Sequence, residues 1–132
     1  MTPQKIRPLL IADAAVTGAN GLAYVAAATP LGDFLGLDPG LLLTLGAVLV
    51  VYALGVAALA ARRRPPVAGT RAVVEINLAW TAASLVALAF WLEPSTAGAV
   101  WVVAQALAVG TLAVLQHLAL RAATARSQPA AA

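Results

Sequence analysis

The chain has 132 residues, of which 62% are hydrophobic and only 10% charged, and its mean hydropathy is +0.92. A soluble domain is about half apolar and about a quarter charged, so this composition predicts a protein whose solvent is lipid. There is no cysteine and only one histidine, which excludes disulfides, thiolate metal sites and a multi-histidine haem or zinc site within one chain. We therefore expect no metal and no cofactor. The net charge of +3 does not indicate nucleic acid, because the basic residues lie at the ends of apolar stretches.

Four apolar stretches follow one another along the chain, each close to the roughly 20 residues that a helix needs to cross a bilayer. They cover residues 8–28, 40–61, 72–92 and 98–120. Short proline-containing connectors separate them. Asp38 is placed to cap the second helix, and either Ser95 or Thr96 is placed to cap the fourth. The tail, residues 122–132, is alanine-rich and polar and is predicted to be disordered. The predicted fold is a single all-α membrane domain, a bundle of four transmembrane helices.

The charge distribution predicts the orientation of these helices. The acidic residues Asp33, Asp38 and Glu93 lie in the first and third connectors. The basic residues lie near the N-terminus, around the second connector or after the fourth stretch: Lys5, Arg7, Arg62, Arg63, Arg64, Arg71, Arg121 and Arg126. Basic residues next to transmembrane helices favour the cytoplasmic side. We therefore expect both termini in the cytoplasm of a bacterial cell, with the chain crossing the inner membrane several times.

The two halves of the chain resemble each other at an offset of 64 positions. Matching pairs include Arg7 and Arg71, Pro30 and Pro94, and Gly46 and Gly110. A polar stripe with the spacing i, i+4, i+7 occurs in both halves, as Asp13, Thr17 and Asn20 and again as Asn77, Thr81 and Ser84. The pattern predicts a duplicated helical hairpin, with both polar stripes turned toward the interior of the bundle.

Other polar residues within the spans are candidates for function. Ionisable side chains in a membrane usually face the bundle interior. Asp13 is therefore a proton or cation ligand, a partner for interhelical hydrogen bonds, or a group that snorkels to the cytoplasmic interface. His117 lies near the expected depth of Asp13, and it either exchanges a proton with that carboxylate or makes a structural hydrogen bond. Gln105 and Gln116 return to nearly the same face of the fourth helix and are expected to bond across helices.

Three segments carry a resemblance to a known group. They read DAAVTGANGLAY in the first helix, NLAWTAASL in the third, and TAGAVWVVAQALAV followed by LQHLALR in the fourth. The motifs are an Asp in the first helix, Asn-x-x-Trp in the third and glutamines near both ends of the fourth. In these features the chain resembles a group of small actinobacterial four-helix membrane proteins. No activity is attached to that group, so the resemblance implies a fold and a host type and carries over no catalytic residue.

The sequence contains no nucleophile–base pair, phosphate-binding loop or paired carboxylates, and its connectors are too short for an extramembrane active site. We therefore predict that it is not an enzyme and has no catalytic residues. The favoured interpretation is a membrane protein that binds a small apolar or lipid-like molecule, or an accessory subunit of a larger membrane complex. The alternative is a minimal transporter or channel that acts as a homodimer and is coupled to protons or cations through Asp13, with or without His117. Both place the protein in the lipid bilayer.

Overall fold

The computed structural model describes residues 5–127, and these residues form five helices joined by short connectors. The helices are α1 (Ile6–Ala26), α2 (Ala28–Leu35), α3 (Pro39–Ala60), α4 (Val67–Phe90) and α5 (Thr96–Ser127). Four of them, α1, α3, α4 and α5, are long and apolar enough to cross a membrane, which confirms the predicted all-α, four-span architecture. The predicted caps are also confirmed. Asp38 Oδ2 accepts a hydrogen bond from the Leu41 amide at 3.0 Å, and Ser95 Oγ accepts one from the Gly98 amide at 3.1 Å.

Helix α2 lies where the sequence predicts only a connector. The backbone leaves helical geometry at Ala27, with φ −129°, and resumes it from Ala28 to Leu35. One face of this short helix is buried through Ala28 and Leu35, and the opposite face is exposed. Gly36 ends the helix in a left-handed conformation, with φ +67°, which glycine adopts without a steric penalty. The amphipathic pattern of these eight residues was too short to distinguish from a loop.

The last helix is longer than the sequence predicts. Helix α5 continues to Ser127, through the first part of the segment predicted to be a disordered tail. Ala119 and Leu120 are buried against Ile6 in a hydrophobic cluster that Ala123 also contacts, so tertiary packing supports the added turn. Alanine is also the best helix former. Residues 128–132, the rest of the predicted tail, lie outside the described part of the chain.

Each of the four long helices contacts two of the others, in the cyclic order α1, α3, α4 and α5. Helix α1 packs along α3 and α4 along α5, so that each half of the chain makes a closely packed hairpin. The hairpins meet through contacts of α1 with α5 and of α3 with α4. We call the end of the bundle that carries Ile6 and the α3–α4 connector the inner end, and the end that carries α2 the outer end. A hydrophobic cluster that includes Leu10, Val56 and Val73 joins the hairpins near the inner end.

The first hairpin depends on a close crossing of α1 and α3 at two glycines. A Cβ atom added to Gly21 would lie 2.9 Å from the carbonyl oxygen of Gly46. A Cβ atom added to Gly46 would lie 2.8 Å from the carbonyl oxygen of Gly21. Small residues at a helix interface let two backbones approach closely in a membrane. This crossing sets the position of the outer half of α1 and therefore of Asn20, which precedes Gly21.

Candidate functional site

A buried polar cluster lies in the inner half of the bundle around Asp13. The side chain of Asp13 is only 1% exposed. Its Oδ1 accepts a hydrogen bond from Thr17 Oγ1 at 3.0 Å. Its Oδ2 accepts one from Asn77 Nδ2 at 2.7 Å and one from Gln116 Nε2 at 2.9 Å. The carboxylate is therefore surrounded by hydrogen-bond donors from α1, α4 and α5.

The same network also reaches α3, the remaining long helix, through Tyr52. Tyr52 Oη donates to Asn77 Oδ1 at 3.0 Å, and Asn77 Nδ2 also donates to Gln116 Oε1 at 3.0 Å. Thr81 lies one turn further along α4, where its hydroxyl donates to the backbone oxygen of Asn77 at 2.9 Å. Hydrogen bonds of this kind strengthen one another in a medium of low dielectric constant. The cluster thus joins all four spans at one level.

The hydrogen bonds of this cluster repeat at the offset found in the sequence. Asp13 and Asn77, which bond directly to each other, are 64 residues apart. Tyr52 and Gln116 are separated by the same number of positions. Tyr52 Oη donates to Asn77 Oδ1 and lies 3.3 Å from the carbonyl oxygen of Val73. Correspondingly, Gln116 Nε2 donates to Asp13 Oδ2 and lies 3.5 Å from the carbonyl oxygen of Leu9, the counterpart of Val73. Equivalent residues of the two hairpins therefore make equivalent contacts.

The structure brings together part of the predicted polar set. The residues within the cluster or beside it are Asp13, Thr17, Asn77, Thr81 and Gln116. Gln105 lies nearer the outer end, where its Oε1 accepts a hydrogen bond from Trp80 Nε1 at 2.7 Å. Asn20 lines a cavity described below, and Ser84 is half-buried on α4, one turn beyond Thr81.

The interpretation that pairs His117 with Asp13 is wrong for this structure. His117 is exposed on the side of α5 that faces away from the bundle interior. Its neighbour Gln116 is fully buried and bonds to the Asp13 carboxylate. Successive residues on a helix point about 100° apart, so only one of the two can face the interior. Tyr52, by contrast, was not predicted as a polar interior residue. The sequence signal that could have identified Tyr52 as an interior residue is its position, 64 residues before Gln116.

A cavity of about 710 Å³ separates the two hairpins on the outer side of the cluster. Its walls are largely apolar. The polar side chains that reach it are Thr17, Asn20, Tyr52, Asn77 and Gln105, with the indoles of Trp80 and Trp101. Among the described residues, those that line the cavity include no charged side chain. The cavity therefore suits an uncharged molecule with a mainly apolar surface.

Small side chains explain why the hairpins do not close over this space. Ala19 and Ala23 face it from α1, and Ala104 and Ala108 face it from α5, in each case one helical turn apart. A methyl group is too short to fill the gap between two helix backbones at these positions. All four alanines are exposed, as are Val16, Val48 and Ile76 of the same lining, so the cavity is open to the surface of the bundle.

The outer side of the cavity is bridged by a hydrogen bond between α5 and α1. Trp101 Nε1 donates to Tyr24 Oη at 2.7 Å. Beyond it, α2 ties the first hairpin to the second, because the Ser95 amide donates to the carbonyl oxygen of Leu35 at 3.0 Å. The cavity is therefore held between the polar cluster on its inner side and this bridge on its outer side.

No family model, curated protein or solved structure matches the chain. The resemblance to small actinobacterial four-helix proteins therefore stays a prediction. The functional proposal depends on the chemistry of the cavity and of the polar cluster.

Proposed function

We propose that this protein is a non-enzymatic membrane protein that binds a small uncharged, apolar or lipid-like molecule between its two hairpins. The observation that carries the proposal is the cavity of about 710 Å³ between the hairpins, which has largely apolar walls. Ligand sites in proteins are typically clefts of about 300–1,000 Å³ with apolar walls and a few polar groups that orient the ligand. Both properties are present here. A molecule dissolved in the bilayer would enter between the alanines of α1 and α5.

The surroundings of Asp13 favour binding over the alternative of proton- or cation-coupled transport. Asp13 is 1% exposed, and its carboxylate accepts hydrogen bonds from Thr17, Asn77 and Gln116. A cation bound by this carboxylate would have to displace these donors. In our proposal the polar cluster around Asp13 holds the four spans together and keeps the inner side of the cavity closed.

Filling the cavity is expected to abolish binding without unfolding the protein. With Ala104→Leu and Ala108→Leu combined, two larger side chains occupy the exposed side of the cavity and the space behind it. Retention of the bound molecule is expected to fall at least about tenfold, equivalent to about 1.4 kcal/mol of lost binding free energy. Native mass spectrometry of protein released from mild detergent measures the retained mass, and extraction with organic solvent identifies the molecule.

The matched control is Ala79→Leu combined with Ala83→Leu. These two alanines are also one turn apart and exposed, but they lie on α4 outside the cavity lining. The control should retain as much of the molecule as the wild type. The proposal is wrong if the wild-type protein takes up no small molecule from a lipid extract, or if the cavity-filling variant retains as much as the control.

We also propose that both termini face the cytoplasm of a bacterial cell, and single cysteines test this orientation because the natural chain has none. A cysteine at Glu93 is expected to react with a membrane-impermeant maleimide added to intact cells. A cysteine at Arg63 is expected to react only after the cells are permeabilised. The positive-inside rule is the physical basis for this expectation. The reverse labelling pattern would contradict the orientation.

We further propose that the two hairpins arose by duplication and are related by an axis along the membrane normal. The repeated hydrogen bonds of Tyr52 with Asn77 and of Gln116 with Asp13 support this proposal. Repeats of this parallel kind meet at an axis, where equivalent residues contact each other, and Asp13 contacts Asn77 in that way.

A further inference from the structure

The cavity carries two side-chain amides that point to the chemistry of its ligand. Within residues 5–127, the half-buried side chain of Asn20 has no hydrogen-bond partner. Gln105 Oε1 accepts from Trp80, and Gln105 Nε2 donates to the carbonyl oxygen of Val102 at 2.9 Å. A primary amide has two N–H groups, so the described contacts of Gln105 use only one of them. Donors from two helices are therefore available to the same cavity.

These two amides lie at the same level across the cavity. The hydrogen bond between Trp101 and Tyr24 fixes the register of α5 against α1. Asn20 precedes Tyr24 by four residues, and Gln105 follows Trp101 by four. Because α1 and α5 run in opposite directions, both amides are one turn inward of this bond and on the same faces as Tyr24 and Trp101. They therefore form a pair of donors beneath the bridge.

The other groups around this pair limit what it can bind. Among the described lining residues no side chain is charged, so the ligand is neutral. The indoles of Trp80 and Trp101 also line the cavity, and flat aromatic surfaces suit a planar ring. Amide donors suit an acceptor oxygen on that ring. An apolar chain attached to the ring would lie along the exposed alanines toward the lipid.

We propose that Asn20 and Gln105 bind the carbonyl oxygen of a neutral, ring-containing lipid of the quinone type. This inference rests on the proposed function, since it names the ligand class of the same cavity. Asn20 is a recognition residue, because within the described chain its amide serves no other hydrogen bond. No electron transfer is part of the proposal, which concerns recognition alone.

The test measures binding of two probes to the full chain in lipid nanodiscs by native mass spectrometry. The first probe is a benzoquinone with a decyl chain, and the second is decylbenzene, which has the same chain and no oxygen. The wild type is expected to bind the quinone at least about tenfold more tightly, which is the range of one or two buried hydrogen bonds. In Asn20→Leu the preference is expected to fall below about threefold, with unfolding by detergent unchanged.

Ser84→Ala is the matched control. Ser84 lies 64 positions after Asn20 in the second polar stripe and does not line the cavity, so this variant should keep the full preference. Equal binding of the two probes by the wild type, or an unchanged preference in Asn20→Leu, overturns the quinone assignment and leaves the binding function intact. Binding of neither probe, together with no retained molecule in the native protein, overturns both.

Discussion

Asn77→Asp is expected to lower the free energy of unfolding by about 3–5 kcal/mol, and adding Asp13→Asn is expected to restore more than half of that loss. Asn77 Nδ2 lies 2.7 Å from Asp13 Oδ2 in the interior of the bundle. In the single variant two carboxylates meet at that distance, and they cannot both be ionised there. The donor that Asn77 supplies to Gln116 Oε1 is lost as well.

The double variant exchanges the two side chains between equivalent positions. An asparagine at position 13 supplies the N–H groups that Asn77 supplies in the natural chain. The carboxylate at position 77 then accepts a hydrogen bond from the hydroxyl of Tyr52, which lies 3.0 Å from Asn77 Oδ1 in the natural chain. Because Tyr52 and Gln116 occupy matching places around the pair, each side chain finds donors and acceptors after the exchange. The recovery therefore depends on the proposed two-fold relation between the hairpins.

Unfolding in mixed micelles with increasing sodium dodecyl sulfate, followed by circular dichroism, measures all four members of this cycle. The Asp13→Asn variant alone is expected to lose about 1–3 kcal/mol, because its amide NH2 group must face either the hydroxyl donor of Thr17 or the amide donors of Asn77 and Gln116. If the double variant is as unstable as the sum of the single variants, the two positions are not equivalent. The proposed duplication would then lose its strongest structural support.

Gly46→Ala is expected to lower the free energy of unfolding by about 1–3 kcal/mol, whereas Gly55→Ala on the same helix should raise it by up to about 1 kcal/mol. The added methyl at Gly46 meets the carbonyl oxygen of Gly21 at 2.8 Å and the Cβ of Tyr24 at 2.9 Å. A backbone atom cannot rotate away, so α1 and α3 must separate. At Gly55 nothing lies within 4 Å of the added methyl, and only the gain in helix propensity remains.

The same detergent titration measures both glycine variants, and ligand retention provides a second readout. Separation of α1 from α3 displaces Asn20, so Gly46→Ala is also expected to retain less of the bound molecule than Gly55→Ala. Equal stabilities of the two variants would show that the helices do not cross as closely as the distances between Gly21 and Gly46 indicate.

The polar stripes show how far the sequence predicts the candidate site. The spacing of Asp13 and Thr17, repeated in Asn77 and Thr81, predicted side chains on one face of each helix, and these four meet in or beside the cluster. A polar side chain in a membrane segment must find a partner, so its inward position follows from its chemistry. Tyr52 was not predicted as an interior residue because tyrosine, with its amphipathic ring, is also common at the membrane–water interface.

The cavity and the neighbours Gln116 and His117 show what the sequence leaves open. Gln105 and Gln116 indicated one inward face of α5, but His117 was also an inward candidate, and the apolar residues around the rest of the helix do not distinguish the side that faces lipid from the side that faces protein. The rotation that buries Gln116 and exposes His117 comes from packing against α1 and α4. Tertiary packing likewise places Ala104 and Ala108 in the lining of the same cavity as Ala19 and Ala23, which the alanine-rich sequence does not predict.

Hydropathy by itself determined the four helical spans, and residue chemistry determined that a few polar side chains must turn inward. The charge pattern predicts the side on which the chain ends lie. Tertiary structure alone decided which of Gln116 and His117 turns inward, the partners of Asp13 and the position of the cavity. The physical reason is that lipid and a protein core are both apolar. Burial therefore specifies how long a membrane helix is, whereas side-chain shape and hydrogen bonding specify which of its faces meets its neighbours.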